Sequence, residues 1–199
     1  MENLKSYNTT LFSFVILNIL LVVGLDSYLA LSMDKLNTET LIKFLPLPSI
    51  VLLSTIVLNG ILSSNLKYKL VFMRMSNPLP ASRLQETLRN DHRVSIDQVT
   101  KKFGPIPNEP KQQNMYWYQK IYKHAQNSEK VRDIHKKFLM TRDLTAMCFM
   151  ILIFSILNTL ILTGTWIHVF IILGEYLIIR LVAANYGKRF VATVVAESI

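Results

Sequence analysis

The chain has 199 residues, 51% of them hydrophobic, a mean hydropathy of +0.31 and a formal net charge of +9. A soluble core of this size spreads its apolar residues along amphipathic elements, whereas here they are concentrated in long charge-free runs. The single Cys148 excludes an internal disulfide and a thiolate metal cluster and reads as a small lipid- or core-facing residue.

The first run is Ser6 to Leu25, twenty residues without a charge. About 20 helical residues cross a hydrocarbon core of roughly 30 Å, so the run predicts a membrane span over about 9–31. A signal peptide fits less well, since Lys5 is the only cation before it and the run exceeds the ~7–15 residues of a signal h-region. Met33 to Lys43 is a short polar connection. A second charge-free run, Phe44 to Leu66, predicts a second span over 44–65, with Pro46 and Pro48 in its first turn.

A long basic segment follows. Lys67 to Arg142 holds 16 Lys and Arg against six acids, a net +10. Leu66, Leu70 and Met73 recur at helical spacing and predict that the second helix projects onward. Asn77-Pro78-Leu79-Pro80 should stop it, and Pro80 should open a short helix through Arg89. Ser95 with Gln98 spells a capping box before Ile96, Val99 and Phe103, with Gly104 as the stop. Pro105, Pro107 and Pro110 predict an extended connector with Pro110 just inside the next helix. That helix carries Met115, Tyr118, Ile121, Tyr122 and His124. Ser128 is expected to cap a last helix, with Val131, Ile134, Phe138 and Leu139, that runs straight into the third span.

The third charge-free run, Leu144 to Gly174, breaks at Thr163-Gly164-Thr165. It predicts a hairpin of spans over 144–163 and 166–186. The expected fold is therefore an all-α membrane protein. Residues 1–65 hold the first two transmembrane helices, 66–142 form a small basic helical domain, 143–187 hold the last two helices, and 188–199 form a tail. The positive-inside rule places the basic domain and both termini in the cytosol.

Glu175 is the most informative polar residue. It lies nine residues after Trp166, about 13.5 Å along a helix and close to mid-membrane. An ionisable group there points to an ion or proton path, or else to a structural hydrogen bond with an amide such as Asn18. The second reading is favoured, because interhelical polar contacts are ordinary packing. Arg180 can snorkel toward the inner interface. Asn18, Asn59 and Asn158 give the first three helices one mid-helix amide each. Gly60 with Ser64, and Ala183 with Gly187, permit close helix approach, read as packing within the bundle ahead of a subunit contact.

Trp117, Tyr118 and Tyr122 interleaved with Lys120 and Lys123 are the partner-binding candidates. Stacking aromatics beside lysines is a nucleic-acid pattern. Positive-inside bias and anionic lipids account for the same charges, however, and Tyr118 and Tyr122 share a helix face. Membrane lipids and a cytosolic protein partner are thus expected ahead of nucleic acid. No HExxH, GxSxG or P-loop motif occurs, and His92, His124, His135 and His168 are scattered. The reading is of a non-enzyme without metal or cofactor.

Asn77-Pro78-Leu79-Pro80, Arg83, Asp91, Arg93, Ile96-Asp97, Gly104, Pro107, Pro110, Gln113-Asn114, Trp117-Tyr118 and Arg142-Asp143 form a block over residues 77–143. It resembles one found in small uncharacterised bacterial four-pass membrane proteins, some associated with mobile and anti-phage defence regions. The resemblance implies a bacterial inner membrane and a defence role, and transfers no catalytic residue. The expected function is an oligomeric membrane component that senses or perturbs the membrane and couples to a cytosolic partner. A small channel or ion-coupled transporter centred on Glu175, and an anchor that recruits a soluble enzyme, are the alternatives.

Overall fold

The computed structural model describes residues 7–30, 55–57, 59–162 and 166–199. Among the described residues the chain is all helical. Helix α1 spans Asn8–Ala30, α2 Ser64–Phe72, α3 Leu84–Arg89 and α4 Ile96–Phe103. Helix α5 spans Pro110–Tyr116, α6 Lys123–Ala125, α7 Glu129–Leu162 and α8 Trp166–Ser198. A 3₁₀ turn, Pro80–Arg83, leads into α3, and a π-helical stretch, Trp117–Tyr122, joins α5 to α6.

Helices α7 and α8 are long and apolar enough to cross a membrane. Helix α1 has 23 residues. Most of the expected second span, the 33–43 connection and the 163–165 break lie outside the described residues.

The chain divides into two compact units. The basic unit comprises Ser64–Arg142 and Arg180–Ile199. Its core gathers Leu84 and Leu88 of α3, Val99 of α4, Trp117 and Ile121, Phe138 of α7, and Phe190, Val191, Val194 and Val195 of α8. Residues 188–199 are therefore helix and core, where the sequence was read as a tail. Ala183, Gly187, Val191 and Val194 recur every three or four residues with no proline between them, which keeps one face apolar and the helix unbroken.

Local signals place the other elements. Ser95 and Gln98 form the reciprocal capping box of α4, and Gly104 ends it at φ +88°, a conformation glycine adopts without steric cost. Pro110 opens α5. Ser128 precedes α7, and its hydroxyl donates to Glu197 (2.8 Å), whose other oxygen takes Lys130 at 2.9 Å. Helix α2 departs from expectation. It follows a break at Leu62–Ser63 and buries Lys67 and Val71, leaving Leu66 and Met73 exposed. Met73 sits at φ +50° and closes the helix through its N–H to the Lys69 carbonyl (2.8 Å).

The apolar unit comprises the described residues of Ser6–Ser63 and Asp143–Ile179. On α1 the buried residues are Leu11, Val15 and Asn18, with Tyr7 immediately before the helix. On α7 the buried stripe is Cys148, Leu152, Ser155 and Thr159, and on α8 it is His168, Ile172 and Tyr176. These follow the three- and four-residue steps of helix packing. Outside these stripes, Phe154 is 73% exposed, Ile161 72%, Phe170 66% and Ile178 65%.

Candidate functional site

A polar side chain among apolar helices must find a partner or pay its desolvation cost. Three such contacts stand out among the described residues of the apolar unit. The Glu175 carboxyl lies beside the Asn18 side chain. The Asn18 amide nitrogen donates to the Phe14 carbonyl (3.1 Å), while its oxygen has no hydrogen-bond partner among the described residues. Asp143, 1% exposed, accepts from the Tyr7 hydroxyl (2.9 Å) and the Asn59 amide (3.5 Å). Thr159 donates to the Ser155 carbonyl (3.0 Å) and lies 3.2 Å from Nε2 of the fully buried His168. The Ser155 hydroxyl is buried without a partner.

Each contact joins a different pair of segments: α1 with α8, the start of α1 with α7, and α7 with α8. That distribution suits registration of helices. Glu175, the residue on which a conduction reading depends, is engaged by Asn18. Asn158 is half-buried, one position away from Thr159 and the α7 stripe.

In the basic unit, Arg180 donates through Nη1 to the Val71 carbonyl at the end of α2 (3.3 Å). A cation at that position satisfies a carbonyl that the helix cannot. Trp117 is buried. It stacks on Tyr122 (5.4 Å between ring centres), meets Phe190 edge-on (5.4 Å), and donates from Nε1 to the Val191 carbonyl (3.4 Å). Tyr118 is exposed and stacks on the half-buried Tyr122. Lys120 and Lys123 are both exposed, but Lys120 is engaged, donating to the Phe103 carbonyl (3.3 Å) and lying 5.3 Å over the Tyr116 ring. Of the five partner-binding candidates, Tyr118 and Lys123 are thus the ones most open to a partner, and Trp117 belongs to the core.

Across the π-helical stretch Trp117 and Ile121, four residues apart, are both buried, whereas Tyr118 is exposed. His135 stacks flat on Phe190 (4.4 Å, 11° between planes) and meets the Tyr122 hydroxyl at 3.5 Å. Burial, reinforced by the Arg142 charge, pushes its pKa down to about 4, so the ring is neutral at pH 7.

The sequence reading passed over Asp143, Tyr7 and the pairing of His168 with Thr159. Tyr7 does share a stripe with Leu11, Val15 and Asn18, a usable signal. Asp143 stands at the edge of its apolar run, where a charge is unremarkable. The chain matches no protein family, no curated protein and no solved structure.

Proposed function

We propose that this chain is a four-pass component of a bacterial inner membrane, with its basic unit and both termini in the cytosol. It acts without catalysis, as a homo-oligomer that couples a change in the membrane to a cytosolic protein partner, in antiviral defence. The carrying observation is the outward apolar face of α7 and α8, where Phe154, Ile161, Phe170 and Ile178 are each at least 65% exposed. In water such a surface drives association, whereas in lipid it is the ordinary exterior of a span. The 16 basic residues between Lys67 and Arg142 support a cytosolic basic unit. Exposed Tyr118 and Lys123 offer a partner surface.

A channel or transporter centred on Glu175 is the second reading, favoured by the presence of a carboxyl among apolar helices. The Asn18 contact supports packing instead. An anchor that recruits a soluble enzyme differs from the leading proposal only in what its partner does.

Topology is the direct test. Reporters fused after residues 70, 110 and 199 should read cytosolic, and one after Asn37 should read external. An external signal at residue 110 overturns the arrangement.

A further inference from the structure

A groove in the basic unit runs between the Met73–Asn77 turn, the 3₁₀ turn and Pro110. One cavity of about 270 Å³ is lined by Arg74, Met75, Ser82 and Arg83 among others. It shares Ser82, Arg83 and Pro110 with a cavity of about 350 Å³ that reaches Arg89 and Gln113. It shares Met75, Asn77 and Ser82 with one of about 390 Å³ that reaches Lys111 and Met115. The three cavities therefore form one groove around Ser82.

Its charge is unbalanced. Arg74, Arg83, Arg89 and Lys111 face one acid, Glu86, which is paired with Arg83 at 3.1 Å. Arg74 makes no hydrogen bond among the described residues and rests 5.7 Å over the Phe72 ring. Burial, then the Arg83 charge, holds its pKa below the ordinary arginine value. Arg74 and Arg83 share a single carboxylate, Glu86, which leaves the pair a net positive charge, and planar forks suit phosphate oxygens. Two methionines of the lining are exposed, Met75 at 85% and Met115 at 49%. No aromatic ring lines any of the three cavities, so a nucleobase has no face to stack on.

We propose that this groove binds the phosphodiester headgroup of an anionic phospholipid, with Arg74 and Arg83 on the phosphate and Met75 and Met115 against the acyl chains. The inference rests on the membrane reading above and names the lipid class that the basic unit recognises. Lys111 and Arg89 extend the positive field along the groove.

The test uses the full-length chain in a neutral detergent. Short-chain phosphatidylglycerol is titrated below its micellar concentration and adducts are counted by native mass spectrometry. Phosphatidylcholine, glycerol phosphate and inorganic phosphate are titrated in parallel. Saturable binding of phosphatidylglycerol, at least tenfold tighter than each of the other three, is the expected result. Arg74→Gln with Arg83→Gln should weaken it roughly thirtyfold, the factor implied by about 1 kcal/mol per basic residue. Met75→Glu, at an exposed site, should weaken it as well and keeps the test informative if the arginine pair fails to fold. Equal binding of phosphatidylcholine, or phosphatidylglycerol affinity unchanged in a folded variant, overturns the proposal. Glycerol phosphate or inorganic phosphate binding as tightly as the lipid also overturns it, in favour of a soluble phosphate ligand. Fractionation of the wild-type chain with membranes is scored separately, so failure here is distinguishable from failure of the membrane reading.

Discussion

Replacing Gly187 tests the packing of the basic unit. A Cβ at this position would lie 2.7 Å from Cζ of Phe72 and 2.9 Å from Cε2 of Phe138. Phe138 is fully buried and held by Tyr68, Phe72 and Phe190, whose ring centres lie 6.0–6.3 Å from its own. Phe72 is half-buried and can swing, but only by giving up its contact with Phe138. Two terms oppose each other in Gly187→Ala. Helix propensity favours alanine by about 1 kcal/mol, and overpacking costs about 1–3 kcal/mol. The net is a loss of about 1 kcal/mol, which lowers the melting temperature by roughly 2–4 °C for a chain of this size. Gly187→Leu forces more atoms into the same space and should lose about 3 kcal/mol. Thermal unfolding in mild detergent, followed by far-ultraviolet circular dichroism, reads both. Phe72→Ala should relieve part of the Gly187→Ala penalty, so the double variant should melt above the additive expectation. An alanine variant that melts higher than wild type would show the propensity gain unopposed and refute the close approach of α8 to the two rings.

Trp117→Ala removes a buried ring with two aromatic neighbours and a hydrogen bond, and should cost about 3–5 kcal/mol in thermal unfolding. Exposed Tyr118→Ala should stay within about 0.5 kcal/mol, and equal losses at the two sites would contradict their assignment. His135 has a pKa near 4 when folded and about 6.5 when unfolded, so the unfolded chain binds more protons between these values. Its contribution to stability is complete above pH 6.5 and is lost as pH falls toward 4, by up to about 3 kcal/mol. His135→Gln should flatten that part of the pH profile, and an unchanged slope would refute the assignment. Glu175→Gln can donate to the partnerless Asn18 oxygen while still accepting from its nitrogen. It should therefore insert, assemble and function as wild type. Glu175→Leu should lose about 0.6 kcal/mol, at most roughly 2. Abolished phage protection, or abolished ion flux in vesicles, by the Gln variant at matched membrane abundance would promote the channel.

Much of the helix pattern was legible because it depends on neighbours in sequence. Pro80, the Ser95 and Gln98 box, Gly104 and Pro110 act through backbone donors and acceptors within a few residues, and each stands where its chemistry predicts. The apolar runs at 144–162 and 166–174 likewise announced α7 and α8. Failures arose where tertiary packing decided the outcome. Hydrophobicity alone set the expected face of α2, yet the buried residues are Lys67 and Val71. The polar appearance of Lys188 and Arg189 suggested a tail, whereas the next seven residues carry four core positions. Trp117 looked like a recognition residue because tryptophan among lysines is ambiguous. Its partners Phe190 and Val191 lie more than seventy positions away in sequence, and that contact leaves no mark in a composition or a motif.

The polar contacts of the apolar unit have a property that apolar packing lacks. Leu11 and Val15 are close to interchangeable with other aliphatic side chains, so α1 could slide by one turn and still bury a similar stripe. Tyr7 and Asn18 prevent this. They are eleven residues apart, about 16.5 Å along the helix and about 20° from three full turns, so they lie almost on one face. One meets Asp143 and the other meets Glu175, acids carried by two different helices. A slip of 5.4 Å would break both contacts together and leave two carboxyls among apolar groups. Rotation of α1 by one residue, about 100°, would do the same. Two polar contacts thus specify height and orientation at once. Their value lies less in the stability each contributes than in the alternatives each makes costly.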